Sequence, residues 1–189
     1  MQTAGSIHNP AHIKMNQMSA FVFTEQFDSS KYPKETWLCQ FLSVNSRSET
    51  KVYKNSTEHA DVICLQENKV AIKAADQYEI TWYISWSPCD ECALKIIEFL
   101  EQHPNVKLNI FVSRLYYQDL ESHRDGLRAL SRQKRIGLKV MTKDDFQHCF
   151  DHFVGEGNGI QSWADLDGNS ARYAAILKEI TGADPRLAF

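Results

Sequence analysis

No stretch of the 189-residue chain approaches the roughly 20 apolar residues that a bilayer-spanning helix needs. Met1 to His12 lacks the apolar central region of a secretory leader. Internal repeats and low-complexity tracts are absent as well. Cysteine is scarce: Cys39, Cys64, Cys89, Cys92 and Cys149 are five in number, odd and unevenly spaced, which argues against a disulfide framework and for reduced thiols plus a metal site. A soluble protein of the cytoplasm and/or nucleus, with no membrane partner, is the expectation. Excess positive charge is missing too. The formal net charge of -3 runs against the basic balance usual for proteins that neutralise phosphates, so local clusters must carry any such binding. The clearest is Arg124, Arg128, Arg132, Lys134 and Arg135, with smaller groups at Lys31/Lys34 and at Arg47, Lys51 and Lys54. A solvated helix face accounts for such a run equally well.

What is present is one sizeable core's worth of apolar residues, 43% of the chain, too little length for two comfortable domains. Residues 1–14 read as a flexible N-terminal arm, 15–182 as a single domain and 183–189 as a tail. Met15 to Phe27 places Met15, Met18, Phe21, Val22 and Phe23 mostly on one helical face. Thr36 to Leu42 suits a strand, and a polar turn at Asn45 to Glu49 leads to a partner strand through Tyr53, an antiparallel hairpin. Glu58 to about Lys73 can be helix with Thr57 as N-cap, so that His59 and Asp61 fall in its first turns. Tyr78 to Trp86 alternates as a strand and delivers the chain to Ser87-Pro88-Cys89. After Pro88 the period becomes helical until Pro104. A strand follows at Val106 to Leu115, then a helix over Leu120 to Arg135 and a short strand at Leu138 to Met141. Phe146, Cys149, Phe150 and Phe153 mark a further helix, and Tyr173, Ile176, Leu177 and Ile180 mark the last. This alternation predicts an α/β fold, a mixed sheet of about five strands with about six helices on both faces. In such sheets sites gather at the carboxyl ends of strands.

His59, Cys89 and Cys92 form a three-ligand set for zinc that leaves a fourth position open to water. A helix starting at Pro88 or Cys89 would put both cysteines on its first turn, where the dipole favours thiolates. C-x-x-C alone also fits a redox pair; a histidine at the start of an earlier helix favours the metal. Buried packing is the expected role of Cys39, Cys64 and Cys149. Zinc with three protein ligands makes hydroxide available near neutral pH. Attack of that hydroxide on an amidine carbon needs a general acid/base, a role assigned to Asp61, two residues after His59.

The order His59-Ala60-Asp61, then Trp82-Tyr83-Ile84-Ser85-Trp86-Ser87-Pro88-Cys89-Asp90-Glu91-Cys92, Ser113-Arg114-Leu115-Tyr116-Tyr117 and Phe146-Gln147-His148-Cys149-Phe150 resembles the AID/APOBEC family of zinc-dependent polynucleotide cytidine deaminases, whose signature is H-x-E followed by P-C-x-x-C. The resemblance covers about Glu35 to Ile180. It implies a three-layer cytidine-deaminase-like fold and deamination of cytosine to uracil in single-stranded DNA, or in RNA as the lesser alternative, with Zn2+ held by His59, Cys89 and Cys92. Trp86 and Ser87 would line the pocket floor, Tyr116 would stack on the cytosine, Asn55 would contact the sugar, and Thr36 and Trp37 would wall the pocket. Leu115 to Glu121, Tyr117 among them, would meet the base 5′ to the target. Arg114, Arg124 and Arg128 are the candidate nucleic-acid contacts. For Trp86 and Tyr116 a plain core role is the alternative; Trp82 reads as core.

Two departures stand out: Asp61 replaces the family's glutamate, and the overall charge is acidic where most relatives are basic. An aspartate is one methylene short, and a misplacement of about 1 Å can cost on the order of 100-fold in rate. The rival reading is therefore a weak or inactive member that binds nucleic acid or a protein partner around a structural zinc. A free-nucleoside deaminase is a third reading, disfavoured because the final helices exceed what a compact nucleoside pocket needs. Relatives act in antiviral defence, antibody diversification and RNA editing. The sequence selects none of these roles, and leaves open a homo-oligomer or another protein partner.

Overall fold

The computed structural model describes residues 17–182 apart from Asn158 and Ser162. The expected arm (1–14), Met15 of the first helix and the tail (183–189) lie outside the described residues. The elements are α1 (Ala20–Phe27), β1 (Trp37–Val44), β2 (Arg47–Lys54), α2 (Ala60–Ala71), β3 (Tyr78–Ile84), α3 (Asp90–Gln102), β4 (Val106–Val112), α4 (Glu121–Ser131), β5 (Ile136–Val140), α5 (Lys143–Phe153) and α6 (Leu166–Thr181). The five strands form one sheet in the order β2-β1-β3-β4-β5. β1 runs antiparallel to both neighbours, while β3, β4 and β5 run parallel.

Strand alternation divides the core in two. Leu38, Leu42, Ile80, Trp82, Ile84, Leu108 and Ile110 turn to the face covered by α2, α3, α4 and α6. Trp37, Cys39, Val52 and Tyr83 turn to the other face, where α1 and α5 bring Phe23, Phe27, Phe146 and Phe153. A helix layer on each side of a mixed sheet is the three-layer α/β architecture. Trp82 is fully buried, as its position in the alternation requires. Among the described residues no helix is long and apolar enough to cross a membrane.

Several boundaries differ from the sequence reading. α1 starts at Ala20 because Ser19 caps it, its Oγ accepting from the Val22 N–H at 3.2 Å. Met18 instead runs extended, its N–H donating to the Phe153 carbonyl at 2.8 Å. The hairpin turn is only Asn45-Ser46, both with positive φ (47° and 63°), because that twist matches the twist of paired strands; Arg47 already pairs with Val44. α4 stops at Ser131, and Arg135 lies beyond it, donating to the carbonyls of His103 (2.9 Å), Val106 (2.7 Å) and Leu100. β5 accordingly begins at Ile136.

The helix after the hairpin begins at Ala60, with His59 rather than Thr57 at the N-cap position and no side-chain capping bond. Its imidazole points elsewhere, to two sulfurs of α3.

Candidate metal centre and active pocket

His59 at the N-cap of α2, Cys89 at the N-cap of α3 and Cys92 in the first turn of α3 converge, with one ligand atom of each within 4.8 Å of the others. His59 Nδ1 is 3.1 Å from Cys92 Sγ and 3.5 Å from Cys89 Sγ. Both helices point their positive ends at the set, which favours thiolate. Hydrogen bonding from Cys92 pulls the Cys89 thiol down to about 6, with the Cys92 N–H and His59 adding to the effect. The Cys92 thiol is pushed far up by the neighbouring Cys89 sulfur, burial and Asp61. Two soft sulfurs and one imidazole, flanked by a cavity, match the donor chemistry of a three-ligand zinc site with an open position. A third donor this close is what a redox C-x-x-C does not require. All five cysteines are unpaired and buried.

The cavity has a volume of about 560 Å³ and opens where β3 and β4 end. His59, Asp61 and Cys89 line it together with Thr36, Asn55, Trp86, Ser87, Tyr116 and Tyr117. Asp61 is 3% exposed, and its Oδ1 accepts from the Val62 N–H at 2.9 Å. Burial raises the pKa of this carboxyl, against hydrogen bonds from Cys92 and Val62 that lower it.

The walls are clasped to one another. Thr36 N–H donates to Asn55 Oδ1 at 2.9 Å, and Asn55 N–H returns a bond to the Thr36 carbonyl at 3.0 Å. Ser87 Oγ accepts from the Tyr116 N–H at 2.9 Å, and Trp86 Nε1–H donates to the Pro33 carbonyl at 3.1 Å. Trp86 meets Tyr116 edge-on at 6.1 Å between centroids, and Tyr116 meets Tyr117 at 4.5 Å. Tyr117 sits at φ 39° and is 61% exposed, a strained and open position of the kind that gathers at ligand clamps.

Four expected contacts sit elsewhere. Trp37 is outside the cavity: it is 5% exposed in the α1–α5 core, because alternation along β1 sends it to the opposite face from Leu38. Arg114 is fully buried beneath Trp86, its guanidinium carbon 4.6 Å from that ring. It donates to the carbonyls of Asp28 (2.6 Å), Lys31 (3.1 Å) and Gln26, tying the end of α1 to the pocket floor. Arg124 pairs with Glu179 at 2.8 Å. Arg128 pairs with Glu121 and Asp125, each at 2.6 Å, and donates to the Ile180 carbonyl. These two arginines fasten α4 to α6 rather than facing the cavity.

Conversely, Tyr32, Lys34, Asp119, Arg172 and Tyr173 also line the cavity. Arg172 lies 4.4 Å above the Tyr173 ring and hydrogen-bonds with Tyr32 and Tyr173. Sequence reasoning missed it because α6 lies far along the chain from every motif; the one available signal was an arginine beside a core tyrosine on an amphipathic helix.

A mixed sheet between helix layers, with a His-Cys-Cys set and a buried acid facing one aromatic cavity, defines a cytidine-deaminase-like domain. The chain belongs to the APOBEC3 family: the family model "APOBEC3, cytosine deaminase domain" matches residues 15–181. It is similar to the DNA dC-to-dU-editing enzyme APOBEC-3G of Chlorocebus aethiops, 31% identical over 159 residues, 76% of this chain and 42% of that protein. The APOBEC-3G of Erythrocebus patas is 41% identical over 109 residues, 55% of this chain and 28% of that protein. The DNA dC-to-dU-editing enzyme APOBEC-3Ca of Felis catus is 46% identical over 79 residues, 42% of this chain and 41% of that protein. Each match covers less than half of the relative's own length.

Proposed function

We propose that this domain deaminates cytosine to uracil in single-stranded DNA, with RNA the alternative substrate, consuming one water and releasing ammonia. The observation that carries this is a buried carboxyl, Asp61, facing the same cavity as His59, Cys89 and a wall of aromatic rings in T-shaped contact. Zinc held by His59, Cys89 and Cys92 would supply an activated water near neutral pH. Asp61 would carry protons to the ring nitrogen and the departing amine. Tyr116 and Trp86 offer faces and edges on which a base taken out of any stack can rest. The Thr36–Asn55 clasp lines the same cavity and would meet the sugar. Reduced cysteines fit action in the cytoplasm and/or nucleus.

The short acid sets the expected rate. A single-stranded oligonucleotide with one cytosine should yield uracil slowly, and Asp61→Glu should raise turnover by on the order of 100-fold by restoring reach. Uracil from neither protein, with zinc bound and the fold intact, would sink the enzymatic reading. The second reading, a nucleic-acid- or partner-binding domain around a structural zinc, draws on Asp61 itself, whose Oδ1 is engaged with the Val62 N–H. It gains if the oligonucleotide binds equally well whichever acid occupies position 61 and is never deaminated.

A further inference from the structure

On the face of the sheet away from the His59 set, α5 presents two exposed imidazoles one helical turn apart, His148 and His152. Their ring centroids are 4.1 Å apart with planes inclined by 32°. Residues at i and i+4 share one side of a helix, and two nitrogens held on one ion at about 2.1 Å must lie roughly 3.0–3.4 Å apart. The 4.1 Å between ring centroids is of that order.

The tautomer of one ring is set by its partner. His152 Nδ1 is 2.8 Å from the His148 carbonyl, which can only accept, so Nδ1 carries the hydrogen and the Nε2 lone pair is directed outward. A metal-binding histidine commonly shows this arrangement, one nitrogen anchored to a carbonyl and the other presented to the ion. The rings beneath are aromatic: His152 meets the Phe41 ring edge-on at 5.3 Å, and His148 lies 5.8 Å from the Tyr83 ring; the charge nearby on the sheet, Lys139, is paired with Asp145. The nearby acids are already engaged. Asp145 pairs with Lys139 at 3.0 Å and bonds the Thr142 N–H and hydroxyl, and Asp151 accepts from Gln147. Burial and the neighbouring His152 also lower the pKa of His148, which keeps its lone pair available at neutral pH.

We propose that His148 and His152 form a second metal site, a bidentate imidazole pair for a late divalent transition ion such as Ni2+, Cu2+ or Zn2+, completed by water. Imidazole donors select these ions over Mg2+ or Ca2+. Bound metal would staple two turns of α5, the helix whose end receives the extended segment at Met18. This site is independent of the deaminase reading.

The test uses zinc-replete full chain without a histidine tag, titrated calorimetrically with Ni2+ at pH 7.5. The expected result is one additional ion per chain with no zinc released. His148→Asn and His152→Asn should each weaken nickel binding at least about 10-fold, and pH 5.5 should weaken it as protons occupy Nε2. Both variants should keep the wild-type circular dichroism and zinc content, since both rings are exposed. No extra ion on the wild type, zinc released in proportion to nickel taken up, or a double variant that binds like wild type would each overturn the proposal.

Discussion

Arg172 stands at the mouth of the cavity with its guanidinium held over the Tyr173 ring and hydrogen-bonded to tyrosines; among the described residues no carboxylate pairs with it. Such a group is oriented in advance yet keeps its charge for a phosphate. Arg172→Gln should weaken single-stranded oligonucleotide binding and reduce the slope of log K against log salt by about 0.7, the loss of one phosphate contact. Arg124→Gln should leave that slope unchanged, because its charge already meets Glu179 and Glu121. Anisotropy titrations from 50 to 300 mM salt separate the two, and equal slopes for wild type and Arg172→Gln would remove Arg172 from the interface. The His59, Cys89 and Cys92 set was legible because ligand chemistry ties residue type to spacing. Of the two readings of the arginine cluster, the solvated helix face suits Arg124 and Arg128, which meet acids of their own helix and a carboxylate arriving from α6.

At the scale of the element, α2 matters most, since it carries His59 and Asp61, and its apolar packing through Ile63 and Leu65 is joined by a buried polar network. Gln40 Oε1 on β1 accepts from Asn68 Nδ2 at 2.7 Å, Cys64 Sγ at 2.9 Å and Trp82 Nε1 at 3.0 Å, while Gln40 Nε2 donates to Asn68 Oδ1 at 3.1 Å. Gln40 is fully buried and Asn68 1% exposed, so each bond removed leaves a donor or acceptor with no water to turn to. Gln40→Ala should therefore destabilise the fold by at least about 3 kcal/mol, since it strands groups on Asn68, Cys64 and Trp82 at roughly 1–3 kcal/mol each and leaves a cavity. Urea unfolding should show a lower midpoint at unchanged slope; an unchanged midpoint would mean the network is not a fastening. Neither this network nor the start of α2 could be read from the chain. Thr57 is the better cap by composition, but ligand placement put His59 there, and Gln40 looks like an exposed position until β1 is known to be central.

Over the whole molecule, the strands were the most legible feature, because burial on both faces of a central sheet leaves short, near-continuous apolar runs; the parallel β3-β4-β5 order follows from helices between successive strands. The loops around the cavity were less so, since contacts such as Arg114 with the end of α1 join residues more than eighty positions apart. The sheet does not by itself hold the amino ends of α2 and α3 together. There the packing is a small cluster of Val62, Cys89 and Cys92 with Tyr116 against it, and the groups facing one another are two sulfurs, an imidazole and the Asp61 carboxyl. An ion at this junction binds the folded chain and has no preformed site in the unfolded one, so stripping it removes stability from both helices at once. At a zinc concentration about 1,000 times the dissociation constant the linkage is worth about 4 kcal/mol, which for a domain of this size lowers the melting temperature by on the order of 10 °C. Prolonged chelation should therefore abolish uracil formation and lower the thermal midpoint together, one equivalent of Zn2+ should restore both, and Cys89→Ala should reproduce the stripped state with no response to zinc. A stripped protein melting at the temperature of the loaded one would show that the ion does not bridge α2 and α3.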